Sequence, residues 1–412
     1  MYNIFFFLII SIIIIGHAQG LYLDYLNNKM WSDNVPLKLR DIINKDKYRK
    51  SQNYYRVNNR FSNINSSFFL IIILTMLFLG GFAWVDNLAR QITENRVLIS
   101  VLFFAMIGLV SDLLSLPFSW YDTFHIEEKF GFNKTSKLTF IADHLKSWLL
   151  AAAIGGPLLA LITWIYYEAG DMFWFYVWVL ISLFSVFMNM FYSEIIVPLF
   201  NKQRPLEEGE LRTELENMAM KSGFKLSNIF VIDGSKRSTK ANAYFAGLGP
   251  KKRIVLFDTL INDLEIKEIT AVLAHEIGHY KSKHSLIMML YGVLQTGIML
   301  YIFSILANNE KLTVAMGGSI PSFHISILAF FLIYSPVSRI ISLFMNYLSR
   351  KHEFEADRFA ANTYQHSFLI SALKKLSVKN LSNLNPHPAY VFVHYSHPPL
   401  LRRIDNIERE AS

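Results

Sequence analysis

The sequence predicts a mainly α-helical protein that crosses a membrane about seven times, with a hydrophilic portion that includes a small β-sheet. Three observations carry this. Of 412 residues, 52% are hydrophobic and 17% charged, against about 25% charged in an ordinary soluble domain. Seven apolar stretches, at about 3–19, 67–88, 97–119, 147–167, 172–200, 286–307 and 322–346, are long enough to span a bilayer core. Two long hydrophilic segments, 201–285 and 347–412, follow the fifth and seventh stretches. This apolar content excludes a disordered chain, and the spans exclude a soluble globule. The absence of cysteine removes disulfide frameworks, thiolate metal sites and cysteine nucleophiles. Any metal would be held by His, Asp or Glu.

The spans are expected to be helices, because lipid offers backbone groups no hydrogen bonds. The first, with its apolar run Ile4–Ile15 followed by Gly16 and Ala18, resembles a signal peptide. No Lys or Arg precedes the run, so a retained membrane helix is expected. The fifth is long enough to tilt or project. Loops 20–66, 120–146 and 201–285 and the tail from 347 are rich in Lys and Arg, whereas 168–171 carries Glu168 and Asp171 and no base. The positive-inside rule then places the N-terminus outside and both large hydrophilic segments in the cytoplasm. The net charge of +8 belongs to these loops, and no nucleic-acid partner is expected. Asp86, Asp112, Glu194 and Arg339 lie inside or near span ends. They either snorkel or line a polar interior, and Asp112 and Arg339 point to the interior.

In the first hydrophilic segment, 206–222 reads as an amphipathic helix ended by Gly223. Residues 228–233 and 253–258 read as strands. The stretch between them is a strand or extended edge closing in a turn at Gly249–Pro250. Residues 263–285 read as a helix, continuous with the sixth span.

That helix carries His275-Glu276-Ile277-Gly278-His279. At about 100° per residue the two histidines lie about 40° apart on one face, so both imidazoles can bind one ion. Glu276 flanks that face and can reach a water on the ion, as a general base would. Zinc needs a third ligand. His284 lies about 140° round the helix from His279, which argues against it. Downstream, in S-R-K-H-E-F-E-A-D-R-F-A (349–360), Glu353 and Asp357 share a helical face while Glu355 points elsewhere. Glu353 could bind the ion while Asp357 accepts the N–H of a ligand histidine. His352 competes for the ligand role, and a plain solvated helix face is the other reading of this stretch.

The chain resembles the integral-membrane CAAX prenyl proteases of type 1, or their close bacterial relatives. The resemblance rests on H-E-I-G-H at 275–279, E-F-E-A-D at 353–357, S-T-K-A-N-A-Y-F-A-G at 238–247, I-E-E-K-F-G-F-N-K-T at 126–135 and Y-S-H-P-P-L-L at 395–401. It covers nearly the whole length. It implies one Zn2+ on His275, His279 and Glu353, with Glu276 as base. It also implies that Asn242 and His397 bind substrate and stabilise the tetrahedral intermediate, with Arg403 contributing. The helices would enclose a large polar chamber with zinc near its cytoplasmic end. Without the resemblance, Asn242 is a turn or strand-end residue and His397 a polar residue before two prolines.

The resulting organisation is 1–200 as five membrane helices with loops, 201–285 as the first half of a zinc peptidase domain, 286–346 as helices six and seven, and 347–412 as the second half. The expected activity is hydrolysis near the C-terminus of prenylated proteins, in the endoplasmic reticulum membrane of a eukaryote or the inner membrane of a bacterium. A bacterial relative would instead remove misfolded membrane proteins. A non-catalytic transporter with seven spans would need no metal.

Overall fold

The computed structural model of the chain describes residues 2–224, 228–247 and 253–410. Seven of its helices are long and apolar enough to cross a membrane: Ile4–Asn28, Lys45–Phe78, Arg96–Phe130, Lys137–Glu168, Gly170–Phe200, His284–Leu306 and Phe323–Thr363. The second ends about ten residues earlier than its hydropathy suggests. Gly80 takes a left-handed conformation (φ 67°), and a separate helix, Gly81–Ile92, turns away. A residue without a Cβ adopts that conformation at no steric cost. Asp86 therefore lies in the short helix, buried, 2.7 Å from His324 and 3.0 Å from Arg90. Asp112 accepts the indole N–H of Trp148 at 2.8 Å, and Glu194 pairs with Arg253.

The membrane helices bury two apolar clusters. Phe6, Ile9, Leu77, Phe103 and Ile325 join the first helix to its neighbours. Phe173, Val177, Leu300, Phe303 and Phe330 do the same for the fifth, sixth and seventh. Between the first, second, third and seventh lies a cavity of about 1320 Å³, with Asn, Ser, Asp and His side chains at one end and aliphatic ones at the other.

Beyond the spans, four strands form one sheet in the order β1-β2-β4-β3: β1 Gln203–Pro205, β2 Ile229–Ile232, β3 Ala243–Ala246 and β4 Arg253–Phe257. β2 and β4 run parallel, while β1 and β3 are antiparallel edges, with Tyr244 opposite Val255. β1, only three residues long, was not expected. The turn expected at Gly249–Pro250 lies outside the described residues. The helix expected over 206–222 runs from Glu210 to Lys221, and Gly223 (φ 63°) follows it. It packs Leu215 and Met218 on Ile254, Leu256, Ile269 and Leu273, a core that also takes in Leu369, Ala372 and Ile407 from after the last span. The two hydrophilic segments thus share one hydrophobic interior.

The helix expected over 263–285 is divided. Its first residue closes the short helix Asp258–Asp263, the main body is Ile266–Lys281, and Lys283 (φ 56°) breaks it from His284–Leu306. The motif helix is therefore not continuous with the sixth span.

Candidate metal centre and active site

The motif helix Ile266–Lys281 starts in a capping box, with the Glu268 side chain accepting the Glu265 N–H at 2.9 Å. Such boxes satisfy the free donors at a helix start. Glu268 is buried and also accepts from Ser371 and Lys375 at 2.6 Å each. Ile269, Leu273, Ala274 and Ile277 bury the opposite face. At Gly278 the helix meets the long helix Phe323–Thr363. A Cβ there would lie 3.0 Å from the Ala356 Cα, closer than carbon atoms pack. Two small residues thus let the helices approach, and that approach delivers Glu353 to the histidines.

His275 Nε2 and His279 Nε2 lie 3.2 Å apart. Glu353 Oε1 is 3.1 Å from His279 Nε2, and Oε2 is 3.6 Å from His275 Nε2. Three ligand atoms, one from each residue, fall within 4.8 Å of one another. The far ring nitrogens are both engaged. His275 Nδ1 donates to Asp357 at 2.9 Å. His279 Nδ1 lies 3.0 Å from His284 Nδ1, and His284 Nε2 is 3.0 Å from Glu355. With Nδ1–H donating on both rings, both Nε2 atoms present lone pairs to each other and to a carboxylate. Glu353 Oε2 is buried and accepts no hydrogen bond among the described residues. Acceptors facing acceptors in a largely buried cluster repel unless a cation sits among them, so the donor set fits a metal ion. His352 is not among these donors; it stacks on His284 at 4.0 Å and 10°.

Arg403, on the helix Leu400–Glu410, donates to Asp357 through Nε (2.9 Å) and Nη2 (2.6 Å), and its Nη1 lies 3.4 Å from Glu353. Burial works against its charge, but the two carboxylates outweigh burial and raise its pKa. His275 is likewise opposed by burial, and the Asp357 hydrogen bond leaves its pKa raised. His397, two-thirds exposed, holds Glu353 Oε1 at 2.9 Å through Nδ1. Asn242 precedes β3; its side chain accepts the Ala243 N–H at 2.9 Å. Asn242, Glu276, His397 and Arg403 all line a cavity of about 900 Å³ with the metal-site residues and the edge strand's Tyr244 and Phe245.

Two arrangements went unread in the sequence. His284 is a partner of His279 rather than a ligand. The break at Lys283 cancels the helical-wheel angle that set His284 aside, and its spacing alone carried no such signal. His284→Ala is expected to weaken metal binding about 10–100-fold, as loss of an outer partner does. His284→Asn should recover some of it. Competition with a chromogenic chelator measures this, and equal affinity in wild type and both variants would refute the role. The second is a brace under the edge strand. Lys240 reaches Glu127 and the Tyr54 hydroxyl at 2.8 Å each. Lys134 N–H donates to Arg237 O and Thr239 N–H to Phe132 O. The 126–135 and 238–247 motifs are thus zipped together.

Seven membrane helices, paired histidines and a flanking glutamate on a separate helix, and a carboxylate from the helix of the last span define a membrane-embedded metallopeptidase. The chain belongs to peptidase family M48: its residues 205–411 match that family and residues 24–202 match the family described as CAAX prenyl protease N-terminal, five membrane helices. It is 36% identical to the CAAX prenyl protease 1 homolog of Dictyostelium discoideum, over 99% of this chain and 98% of that one. It is 35% identical to CAAX prenyl protease 1 of Saccharomyces cerevisiae, over 94% and 91%. The crystal structure of S. mikatae Ste24p superposes with a TM-score of 0.92 at 34% identity, covering 98% and 99%. Neither the transporter reading nor the bacterial quality-control reading is favoured by these likenesses.

Proposed function

We propose that the metal is zinc, one per chain, held by His275, His279 and Glu353, and that the substrate is the C-terminal segment of a prenylated protein. One observation carries the reading: a three-residue donor set shares a cavity with Glu276 and an edge strand. Residues 201–285 and 347–412 would make up the peptidase domain, and residues 1–200 and 286–346 the membrane domain. Arg- and Lys-rich loops support a cytoplasmic active site. The eukaryotic sources of the relatives favour the endoplasmic reticulum membrane.

When bound, zinc supplies a Lewis acid that lowers the pKa of water toward 7. Substrate backbone adds to the free side of β3, as extended peptides do at sheet edges. Glu276 takes a proton from the attacking water and returns it to the leaving amine. Asn242, at the head of the strand, positions the chain. His397 donates Nδ1–H to Glu353, and in its doubly protonated form its Nε2–H meets the developing oxyanion. Arg403 acts through Asp357 and Glu353, fixing the two carboxylates. A substrate tethered by a lipid chain suits a site beside the spans.

Incubating the purified protein with a farnesylated C-terminal peptide should release a tripeptide. A chelator should abolish release and added zinc restore it, with products identified by mass. Cleavage indifferent to the chelator, or none at all, would overturn the reading.

A further inference from the structure

Arg339 lies 16 residues into the helix Phe323–Thr363 (339 minus 323). At 1.5 Å per residue that is about 24 Å from its start and about 10 Å before 346, where the apolar stretch ends, so it lies inside the span near one end. Its Nη1 donates to Gln19 Oε1 at 3.0 Å and Gly16 O at 3.4 Å. Among the described residues no carboxylate comes within ion-pair distance of it. A guanidinium has five donors, and two protein acceptors leave it unfinished. The first helix is cut away to receive it, since a Cβ at Gly16 would lie 2.4 Å from Nη2. A charged residue inside a membrane-spanning segment marks a functional site by default.

Arg339 lines the cavity of about 1320 Å³ between the first, second, third and seventh membrane helices. On one side of it the walls are Ile12, Ile73, Met76, Ile107 and Leu328. On the other are Asn58, Ser62, Asn63, Asp24 and His394. Asp24 is itself hydrogen-bonded by Asn63. From Arg339 to Leu328 is 11 residues (339 minus 328), about 16 Å of wall that is apolar but for Ser335. A free anion would have no use for that wall, and a neutral hydrocarbon none for the guanidinium.

We propose that this cavity binds a single-chain anionic amphiphile, its phosphate or carboxylate head on Arg339 and its acyl or isoprenoid chain along the Ile12–Ile107–Leu328 wall. The site needs the membrane fold but not the hydrolytic reading, and Arg339 is 14 residues (353 minus 339), about 21 Å of helix, from Glu353. The ligand is therefore not at the metal. Both a membrane lysophospholipid and a prenylated amino acid have this chemistry.

The test uses the full-length protein in phosphatidylcholine nanodiscs and lysophosphatidic acid with a photoreactive group at its chain end. Labelling is expected on residues of the apolar wall. Unlabelled lysophosphatidic acid should compete at least ten times better than a monoacylglycerol of equal chain length, and inorganic phosphate should not compete. Competition by farnesylcysteine as strong as by lysophosphatidic acid would assign the prenyl source, and weak competition the membrane source; either supports an anionic amphiphile. Arg339→Gln should weaken labelling at least tenfold while metal content stays at the wild-type level, and Arg339→Lys should keep some of it. Should Arg339→Gln fail to fold, Gly16→Ala tests the same point by displacing the guanidinium. Unchanged labelling in these variants, equal competition by the neutral amphiphile, or displacement by phosphate alone would overturn the proposal.

Discussion

Glu276→Gln is expected to keep its metal and lose hydrolysis by about 10²–10⁴-fold, the usual contribution of a positioned acid–base group. The amide matches the carboxylate in shape but cannot take a proton. Glu276 is half-buried at the cavity wall and is not among the three grouped donors, so its loss should leave binding of the ion intact. Metal content by mass spectrometry and peptide turnover by product mass are the two readouts. Wild-type turnover in this variant would remove Glu276 from the mechanism.

Glu353→Ala should do more damage. It deletes the carboxylate that both histidines face, so metal affinity should fall by more than the roughly 10–100-fold typical of an outer partner, and activity with it. It also strips His397 and Arg403 of a partner. His352→Ala is the contrast, because His352 stacks on His284 outside the donor set and its loss should spare metal stoichiometry. Full stoichiometry in Glu353→Ala together with loss in His352→Ala would reverse the assignment of the third ligand.

The sequence disclosed what depends on local pattern. Apolar runs of bilayer length marked seven spans. Two histidines one helical turn apart marked the motif, and β-branched runs at 229–232 and 253–257 marked the sheet's centre. It was blind where the chain folds back on itself. β1 is too short for periodicity, and Leu79–Gly80 ends a span inside a continuous apolar stretch. Nothing local at Ser282–Lys283 predicts a break, because Lys at φ 56° is a conformation imposed by the packing of the next helix rather than one that lysine prefers. Arg403 reaches His275 across 128 residues of chain (403 minus 275) and His397 reaches Glu353 across 44 (397 minus 353). Spacing fixes faces of a helix, and only packing such as Gly278 against Ala356 fixes which faces meet.

The break at Lys283 gives the three donors unequal mechanical ties. His275 and His279 ride on a helix broken from the sixth span at Lys283, tied to it through His279 and His284 and anchored in the hydrophobic core that the two hydrophilic segments share. Glu353 sits on a rod of 41 residues, about 60 Å long, whose far end is embedded in lipid. Tilting that rod as the bilayer thins or thickens carries Glu353 and Asp357 with it, and the close packing of Ala356 on Gly278 passes the motion to the histidine helix, so membrane thickness becomes a lever on the whole trio.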